Sequence, residues 1–237
     1  ILKFMEKKIK SLSILFPVYK DSQTVEILIK KSILLCEELS LDYELIIVDD
    51  CCPENSGDIA KKFMKNNKNI KLVNHEINKG YGESIKSGLS ICTKEWILQT
   101  DGDNQYDVND YKKMSKIVHN YDCIITFRYK KIYSSSRIFI SWVYNKIIQI
   151  LFKSKFRDIS TGLRLINKNA LNDISLSSKN AFIGAEIAIK LMLKGYQVGE
   201  MGISTYPRQF GTSTIITLRN IINTIKDIIK VRKEIFK

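Results

Sequence analysis

The sequence predicts an α/β fold in which a mainly parallel sheet carries helices on both faces. Apolar runs of strand length recur along the chain, and a stretch of helical period follows each of them. Strands that alternate with helices form parallel sheets covered on both sides. Several of the apolar runs end in polar or acidic residues. Because ligands of such sheets bind beyond the carboxyl ends of the strands, these residues are the first candidates for a functional site.

The predicted elements follow one another without a linker or a low-complexity segment. Five strand and helix pairs are predicted in chain order, at residues 12–18 and 24–39, 44–48 and 59–64, 70–73 and 81–91, 96–99 and 108–118, and 123–127 and 138–152. The second half is less regular, with extended segments at 160–166 and 198–206 and helices at 185–193 and 214–236. We therefore predict one domain over residues 1–213, followed by a C-terminal helix over 214–237.

The charge balance is strongly basic, with 38 Lys and Arg against 25 Asp and Glu and a net charge of +13. Such an excess attracts nucleic acid, anionic lipid or phosphorylated substrates. Nucleic acid is not expected, because the sequence has no RNP-like motif, helix-turn-helix signature or zinc finger. Eight of the cations lie in one segment that has no acidic residue: Arg128, Lys130, Lys131, Arg137, Lys146, Lys153, Lys155 and Arg157.

The five cysteines form no CxxC pair and have no histidine at metal spacing. Neither a zinc site nor a disulfide framework is expected, and the simple interpretation is reduced thiols in a cytosolic protein. Charged residues interrupt the N-terminal segment Ile1–Ile9, so no signal peptide is predicted. The longest nearly uncharged run, Ile138–Phe152, is shorter than the roughly 20 residues of a spanning helix. We predict no transmembrane helix.

The strongest chemical signal is the segment Gln99-Thr-Asp-Gly-Asp-Asn-Gln105, in which two carboxylates follow a strand at a spacing of two residues. Asp101 and Asp103 can bind Mg²⁺ or Mn²⁺ and leave sites open for diphosphate oxygens, and the amide of Gln105 follows two residues later. A metal bound in this way neutralises charge on a leaving nucleoside diphosphate. The alternative is an Asp-Gly turn that caps the next helix through Asp107.

Two further strand ends carry candidate groups for a nucleotide. Asp49 and Asp50 end the second strand and can reach a nucleobase or ribose, although they can also merely cap the helix after Pro53. The segment Asn78-Lys-Gly-Tyr-Gly82 opens a helix and can direct backbone N–H groups toward a phosphate. It is not the dinucleotide fingerprint, because Ile85 stands where that motif needs its third glycine.

These motifs together resemble family 2 glycosyltransferases. Their order and spacing are those of the family: Phe16-Pro-Val-Tyr19, Ile47-Val-Asp-Asp50, Asn78-Lys-Gly-Tyr-Gly82 and Thr100-Asp-Gly-Asp-Asn-Gln105. The resemblance implies a GT-A fold over roughly residues 11 to 214. Within the family, the chain is similar to the dolichol-phosphate mannosyltransferase and polyprenyl-phosphate glycosyltransferase branch. The supporting segments are Asp158-Ile-Ser-Thr-Gly-Leu-Arg164 and Tyr206-Pro-Arg-Gln-Phe-Gly-Thr-Ser213.

The resemblance also implies roles for individual residues. The expected nucleotide-sugar contacts are Pro17, Tyr19, Asp21, Asp49, Asp50, Lys79, Gly80, Gly82, Thr100, Asp101 and Gly102, and the expected cations on substrate phosphates are Arg128, Arg137, Arg164 and Arg208. Some positions depart from the family pattern. Its acidic residue after the first strand corresponds only to Asp21 or Glu26, Leu163 replaces an aromatic, and Thr214 replaces a lysine.

The expected activity is therefore inverting transfer of a sugar from a nucleotide-sugar to a lipid-linked phosphate. A phosphate acceptor is already anionic and needs little help from a base, whereas a saccharide hydroxyl, the alternative acceptor, needs a carboxylate base. Asp158 and Glu186 are the candidates for that base. A third possibility is an inactive scaffold or lipid-binding module built on the same fold.

Two segments predict contact with the inner face of a membrane. Residues 136–157 combine bulky apolar and aromatic side chains with flanking cations, which favours an interfacial helix. The alternative is a core helix whose ends are solvated. The C-terminal helix has Ile and Leu on one face and Lys and Arg elsewhere. It can lie on lipid, dock on the domain, or pair with a second copy or a membrane protein.

Overall fold

A computed structural model describes residues 9–210 and 217–236 of the 237-residue chain. Seven strands form one sheet in the order β3-β2-β1-β4-β6-β5-β7. Only β6 runs against its neighbours β4 and β5, whereas the remaining pairs are parallel. The predicted α/β architecture with a mainly parallel sheet is confirmed.

Strands and helices alternate as predicted over most of the chain. In chain order the strands are β1 Ser11–Val18, β2 Asp42–Asp49, β3 Ile70–Asn74, β4 Trp96–Gln99, β5 Cys123–Arg128, β6 Arg164–Asn167 and β7 Val198–Ile203. The helices are α1 Ser22–Glu38, α2 Ser56–Met64, α3 Tyr81–Ile91, α4 Tyr111–Ile117, α5 Ser135–Phe152, α6 Lys168–Asn172, α7 Ile183–Leu193 and α8 Leu218–Ile235. Short 3₁₀ turns flank α4.

Three predictions about individual elements are corrected. Residues 160–163 form a turn instead of the start of a strand, and residues 204–206 lie beyond β7 as irregular chain. Helix α6 was not predicted, because a five-residue helix is too short to show a helical period. The predicted start of the C-terminal helix at 214–216, and the segment 211–214 of the family motif, lie outside the described residues.

Two apolar layers cover the sheet. Helices α1, α2 and α4 bury Leu28, Ala60 and Tyr111 on one face. On the other face α3, α5, α6, α7 and α8 bury a second cluster that includes Phe152 and Phe182. These layers leave the carboxyl ends of β1, β2, β4 and β5 together at one edge of the sheet.

Helix α8 docks on the domain through Ile228 and Val231. Its opposite side leaves an aliphatic stripe in solvent, formed by Leu218, Ile221, Ile222, Ile225 and Ile229. Of the three arrangements open for this helix, docking on the domain is the one that the structure contains. Within residues 9–210 and 217–236, no helix is both long enough and apolar enough to cross a membrane.

Candidate active site

The Asp-x-Asp segment leaves β4 at the centre of the sheet edge. Asp101 is held by the Tyr81 hydroxyl, which donates to its Oδ1 at 2.8 Å and itself accepts from the side-chain amide of Gln99 at 3.2 Å. Gly162 lies against the same carboxylate, where any side chain would overlap with it. Burial raises the pKa of Asp101, although the Tyr81 bond and the charges of Arg164 and Arg128 oppose this effect.

Asp103 is the less restrained of the two carboxylates. The backbone N–H of Gln105 donates to its Oδ1 at 3.1 Å, and the Arg208 guanidinium lies 3.8 Å from its Oδ2. Burial and the charge of Asp101 raise the pKa of Asp103 to about 6. Two carboxylates thus meet at this edge with little to neutralise them.

Asp21, just after β1, is the third acidic group at the edge. It pairs with Arg208, and burial raises its pKa despite this partner. Its other oxygen accepts from the Tyr19 backbone N–H at 3.4 Å. Gly102 fits between the Pro17 carbonyl and Asp21 only because it has no side chain. Pro17, Tyr19, Asp21 and Gly102 therefore lie together at this edge.

The loop of residues 204–210 crosses the same edge. The Tyr206 backbone N–H donates to the Gln105 carbonyl at 3.0 Å, and the Gln105 side-chain amide donates to the Tyr206 carbonyl at 3.1 Å. This pairing brings Arg208 between Asp21 and Asp103. The bond to the Tyr206 carbonyl uses the amide nitrogen of Gln105, and its amide oxygen is the atom that the resemblance implies as a metal or diphosphate ligand.

The two carboxylates at the end of β2 have different partners. Both oxygens of Asp49 accept from backbone N–H groups, of Cys52 at 2.8 Å and of Gly57 in the first turn of α2 at 2.9 Å. These contacts are those of the helix-capping alternative. Asp50 accepts from His75 at 2.7 Å and, at 2.8 Å each, from the backbone of Lys79 and Gly80. Asp50 therefore organises the glycine turn.

That turn begins α3 beside Asp101. Gly80 has φ +89°, which favours glycine, and Gly82 contacts the peptide between Lys179 and Asn180 so closely that a side chain would not fit. The Lys79 side chain is exposed at the rim. Thr100 is buried next to Asp101, and its backbone N–H donates to Leu15 at 2.9 Å.

Three cationic or aromatic groups meet at the end of β5. Arg128 forms a bidentate pair with Asp158, at 2.8 and 3.0 Å, and donates to the Tyr133 hydroxyl at 3.3 Å. Arg137 of α5 stacks on the Tyr133 ring with its guanidinium carbon 3.8 Å from the ring centroid. Burial opposes ionisation of Asp158, but Arg128 and Lys131 outweigh it and lower the pKa of this carboxyl.

Glu186 and Arg164 lie deeper in the domain. The oxygens of Glu186 accept from the backbone of Ser177 and Ser178, at 2.9 and 2.8 Å, and from Lys190 at 2.6 Å. Burial by itself would raise the pKa of Glu186, but these hydrogen bonds outweigh it and lower the pKa. Arg164 is buried, and its Nη2 donates to the Thr161 carbonyl. Its Nε and Nη1 have no hydrogen-bond partner within the described part of the chain.

Sequence reasoning assigned no role to Tyr81 or Gly162, although both contact Asp101. The position of Tyr81 between two glycines at a helix start was the available signal for it. Gly162 lacked one, because its approach to Asp101 depends on the antiparallel insertion of β6 next to β4.

Asp101 and Asp103 suit a divalent cation that takes its remaining ligands from a substrate. Over the described residues no three His, Cys, Asp or Glu side chains form a closed metal site. Magnesium in particular is commonly bound by one or two carboxylates together with substrate phosphates. The under-neutralised pair at this edge fits that arrangement.

The fold and this sheet edge are those of an α/β protein whose ligand binds beyond the carboxyl ends of its strands. Residues 13–175 match the family described as Glycosyl transferase family 2. The chain belongs to this family of nucleotide-sugar glycosyltransferases.

Solved structures confirm the GT-A fold. Mannosyl-3-phosphoglycerate synthase from Rubrobacter xylanophilus has a TM-score of 0.72 at 14% identity, over 95% of this chain and 73% of that one. Glucosyl-3-phosphoglycerate synthase from Mycobacterium tuberculosis, in complex with Mn²⁺, UDP and phosphoglyceric acid, has a TM-score of 0.70 at 13% identity, over 95% and 78%. Its complex with Mn²⁺, UDP-glucose and phosphoglyceric acid gives 0.70 at 11%, over 95% and 79%.

Proposed function

We propose that this chain is a metal-dependent, inverting transferase of the polyprenyl-phosphate branch. It moves a sugar from a nucleotide-sugar to a polyprenyl phosphate at the cytoplasmic face of a membrane. The observation that carries the proposal is the contrast between its carboxylates. Asp101 and Asp103 are under-neutralised at the sheet edge, whereas Asp158 and Glu186, the two candidates for a catalytic base, are tied to cations.

The donor side uses the groups around the Asp-x-Asp segment. Asp101 and Asp103 would hold Mg²⁺ or Mn²⁺, which when bound neutralises charge on the leaving nucleoside diphosphate. The Mn²⁺ and UDP complexes of the structurally similar glucosyl-3-phosphoglycerate synthase support a divalent ion. Tyr81 holds Asp101 in place, and Arg208, already beside Asp103, supplies a cation for the phosphates.

The acceptor side favours a group that needs no base. A hydroxyl acceptor requires a carboxylate that can take up a proton, and a lowered pKa makes Asp158 and Glu186 poor at this task. A phosphate oxygen is already anionic and requires positioning by cations. Arg128, whose charge acts on Asp101, and Arg137, which stacks on the same Tyr133 ring as Arg128, would supply such cations.

Helix α5 supports an acceptor that resides in a membrane. Phe139 and Trp142 stack on each other with centroids 6.0 Å apart, and their side chains are 62% and 54% exposed. Ile150 on the same helix is 76% exposed. Exposed aromatic and aliphatic side chains between basic residues are typical of interfacial helices, so this helix and the stripe of α8 would both contact lipid.

The direct test is a panel of nucleotide-sugars against three acceptors, with products identified by mass spectrometry. The acceptors are a polyprenyl phosphate, a saccharide and 3-phosphoglycerate, the last because structurally similar enzymes act on it. Transfer to the polyprenyl phosphate is expected, with inverted anomeric configuration. Product only with the saccharide or 3-phosphoglycerate would reject the lipid acceptor, and no product or nucleotide-sugar binding would indicate an inactive module.

Membrane contact is tested with sedimentation of anionic vesicles. Binding at low salt should fall at about 1 M salt, where the Debye length is about 3 Å, and the remainder should depend on aromatic insertion. Phe139→Ser with Trp142→Ser should remove that remainder, whereas Leu34→Ser, at an exposed apolar position of α1, should leave it unchanged. Equal loss in both variants, or no binding by the wild-type protein, would argue against the interfacial role of α5.

A further inference from the structure

The loop between α6 and α7 is bound by carboxylates from two helices. The four consecutive backbone N–H groups of residues 177–180 all donate to them. Glu186 of α7 accepts from the first two. Asp227 of α8 accepts from Lys179 at 3.1 Å and from Asn180 at 2.9 Å, and the Asn180 side-chain amide adds a bond of 3.0 Å to the same oxygen. The C-terminal helix therefore fixes the second half of this loop.

The peptide that Asp227 holds packs on the glycine turn at the sheet edge that carries Asp101 and Asp103. We call this edge the donor edge. A side chain at position 82 would overlap with the backbone between Lys179 and Asn180, and one at position 80 would reach the Lys179 carbonyl at 3.7 Å. The first turn of α3 and this peptide are thus in direct backbone contact. A shift of the peptide would be transmitted to the turn, because closely packed backbone cannot absorb it.

The glycine turn connects this peptide to Asp101. Tyr81 stands between the two glycines, and its hydroxyl donates to Asp101 at 2.8 Å. On its other side the turn is held by Asp50. The position of Tyr81, and with it that of Asp101, depends on both supports.

We propose that Asp227 is a positioning residue for the donor site. It holds the peptide of Lys179 and Asn180 against the glycine turn, and through Tyr81 it fixes Asp101. Docking of α8 does not require this carboxylate, since Ile228 and Val231 already pack on the core. A buried carboxylate is unfavourable unless it is well bonded, so its presence on this helix face points to the loop that it holds. The inference rests on the proposed function, because Asp101 must act on the donor.

The test measures nucleotide-sugar affinity by calorimetry with Mn²⁺, without acceptor or lipid, using the nucleotide-sugar of the panel above that the wild-type protein binds most tightly. Asp227→Ala should weaken binding about ten-fold, equal to about 1.4 kcal/mol. Asp227→Asn, which keeps an acceptor oxygen, should restore most of it. The matched control is Glu234→Ala on the same helix, because Glu234 bonds only the Ser177 side chain of this loop, at 2.8 Å. That variant should stay within about two-fold of wild type.

A double-mutant cycle with Tyr81→Phe separates positioning from general destabilisation. If Asp227 acts through Tyr81, Asp227→Ala should weaken donor binding much less once the Tyr81 hydroxyl is absent. If Asp227→Ala does not fold, Asn180→Ala enters the same cycle with an expected loss of about three-fold.

Additive effects in the cycle, or affinity of Asp227→Ala within about two-fold of wild type, would overturn the inference and leave the proposed function intact. A wild-type protein that binds no nucleotide-sugar of the panel would instead reject the proposed function and the inference with it.

Discussion

The acidic residues of this protein form two groups that differ in how they are neutralised. At the donor edge Asp21, Asp101 and Asp103 crowd together, and burial raises the pKa of each. Asp158, beside the end of β5, and Glu186, on α7, are also buried, yet hydrogen bonds and cations lower the pKa of both. Burial is common to the two groups, so the difference lies in the partners that surround each carboxylate.

The difference indicates which carboxylates are structural. A well-bonded buried carboxylate organises its surroundings, as Glu186 does for the loop at Ser177. A crowded group with few donors is unfavourable for the folded state and persists where a cation or substrate completes it. The donor edge has this property, and each prediction below tests one side of the comparison.

The largest effect is expected for Asp103→Ala. Loss of a metal-binding carboxylate should lower turnover by roughly a hundred- to a thousand-fold, a loss of the size seen when one main electrostatic contribution is removed. Turnover and Mn²⁺ binding should fall together while the melting temperature is unchanged or higher. The control is Asp107→Ala four residues further on, since Asp107 accepts from the Asn109 backbone N–H and caps a 3₁₀ turn. It should lose about 1 kcal/mol of stability and keep its activity; near-normal turnover of Asp103→Ala would remove the metal assignment.

Arg128 and Arg208 test the difference between the two groups of carboxylates, because each arginine pairs with a member of one group. Arg128→Ala leaves the buried Asp158 without its bidentate partner and should lower the free energy of unfolding by about 3 kcal/mol. Arg208→Ala should lower the free energy of unfolding by less than Arg128→Ala does, because the Arg208 side chain is more exposed and its carboxylate partners are not fully neutralised by it. Both should raise the donor or acceptor KM or lower kcat, as expected for phosphate contacts. Equal losses of stability in chemical denaturation would show that the carboxylate partners of the two arginines do not differ in the way proposed.

Acid should affect the donor edge through Asp103. Its pKa is raised from 3.8 to about 6, chiefly by burial and by Asp101, so Mn²⁺ affinity should fall as pH drops through 6. The free energy of unfolding changes in the opposite direction, because the contribution of Asp103 to it increases as pH falls. A carboxyl whose pKa is raised by folding stabilises the fold below its unfolded value and loses this contribution as pH rises through its folded value.

Asp103→Asn should therefore stabilise the metal-free protein at about pH 7.5, by roughly 1 to 3 kcal/mol, and the gain should disappear near pH 4. Chemical denaturation of wild type and variant at both pH values measures it. A gain that is independent of pH would mean that Asp103 is not the titrating group.

Sequence reasoning recovered the alternation of strands and helices because each element has its own hydrophobic period. It placed α3 and β4 at their observed bounds for this reason. It also found the Asp-x-Asp segment, whose two carboxylates are neighbours in the chain. What it missed depends on contacts between distant segments. Tertiary packing, which no local pattern encodes, determines the roles of Tyr81 and Gly162. It also determines the pairing of Arg128 with Asp158 and the hydrogen bonds of Asp227 to residues 179–180.

The smallest effect is expected for Gln105→Ala, which tests how far the donor edge extends. The Gln105 side chain is bonded to the Tyr206 carbonyl, and a neutral amide contributes less to a divalent ion than a carboxylate does. Turnover should therefore fall only about three- to ten-fold, mainly through weaker anchoring of the loop that carries Arg208. Because backbone atoms of Gln105 bond both Asp103 and Tyr206, the variant keeps those contacts, and Mn²⁺ affinity should change little. A fall in Mn²⁺ affinity as large as that of Asp103→Ala would make Gln105 a metal ligand and place it with the crowded carboxylates.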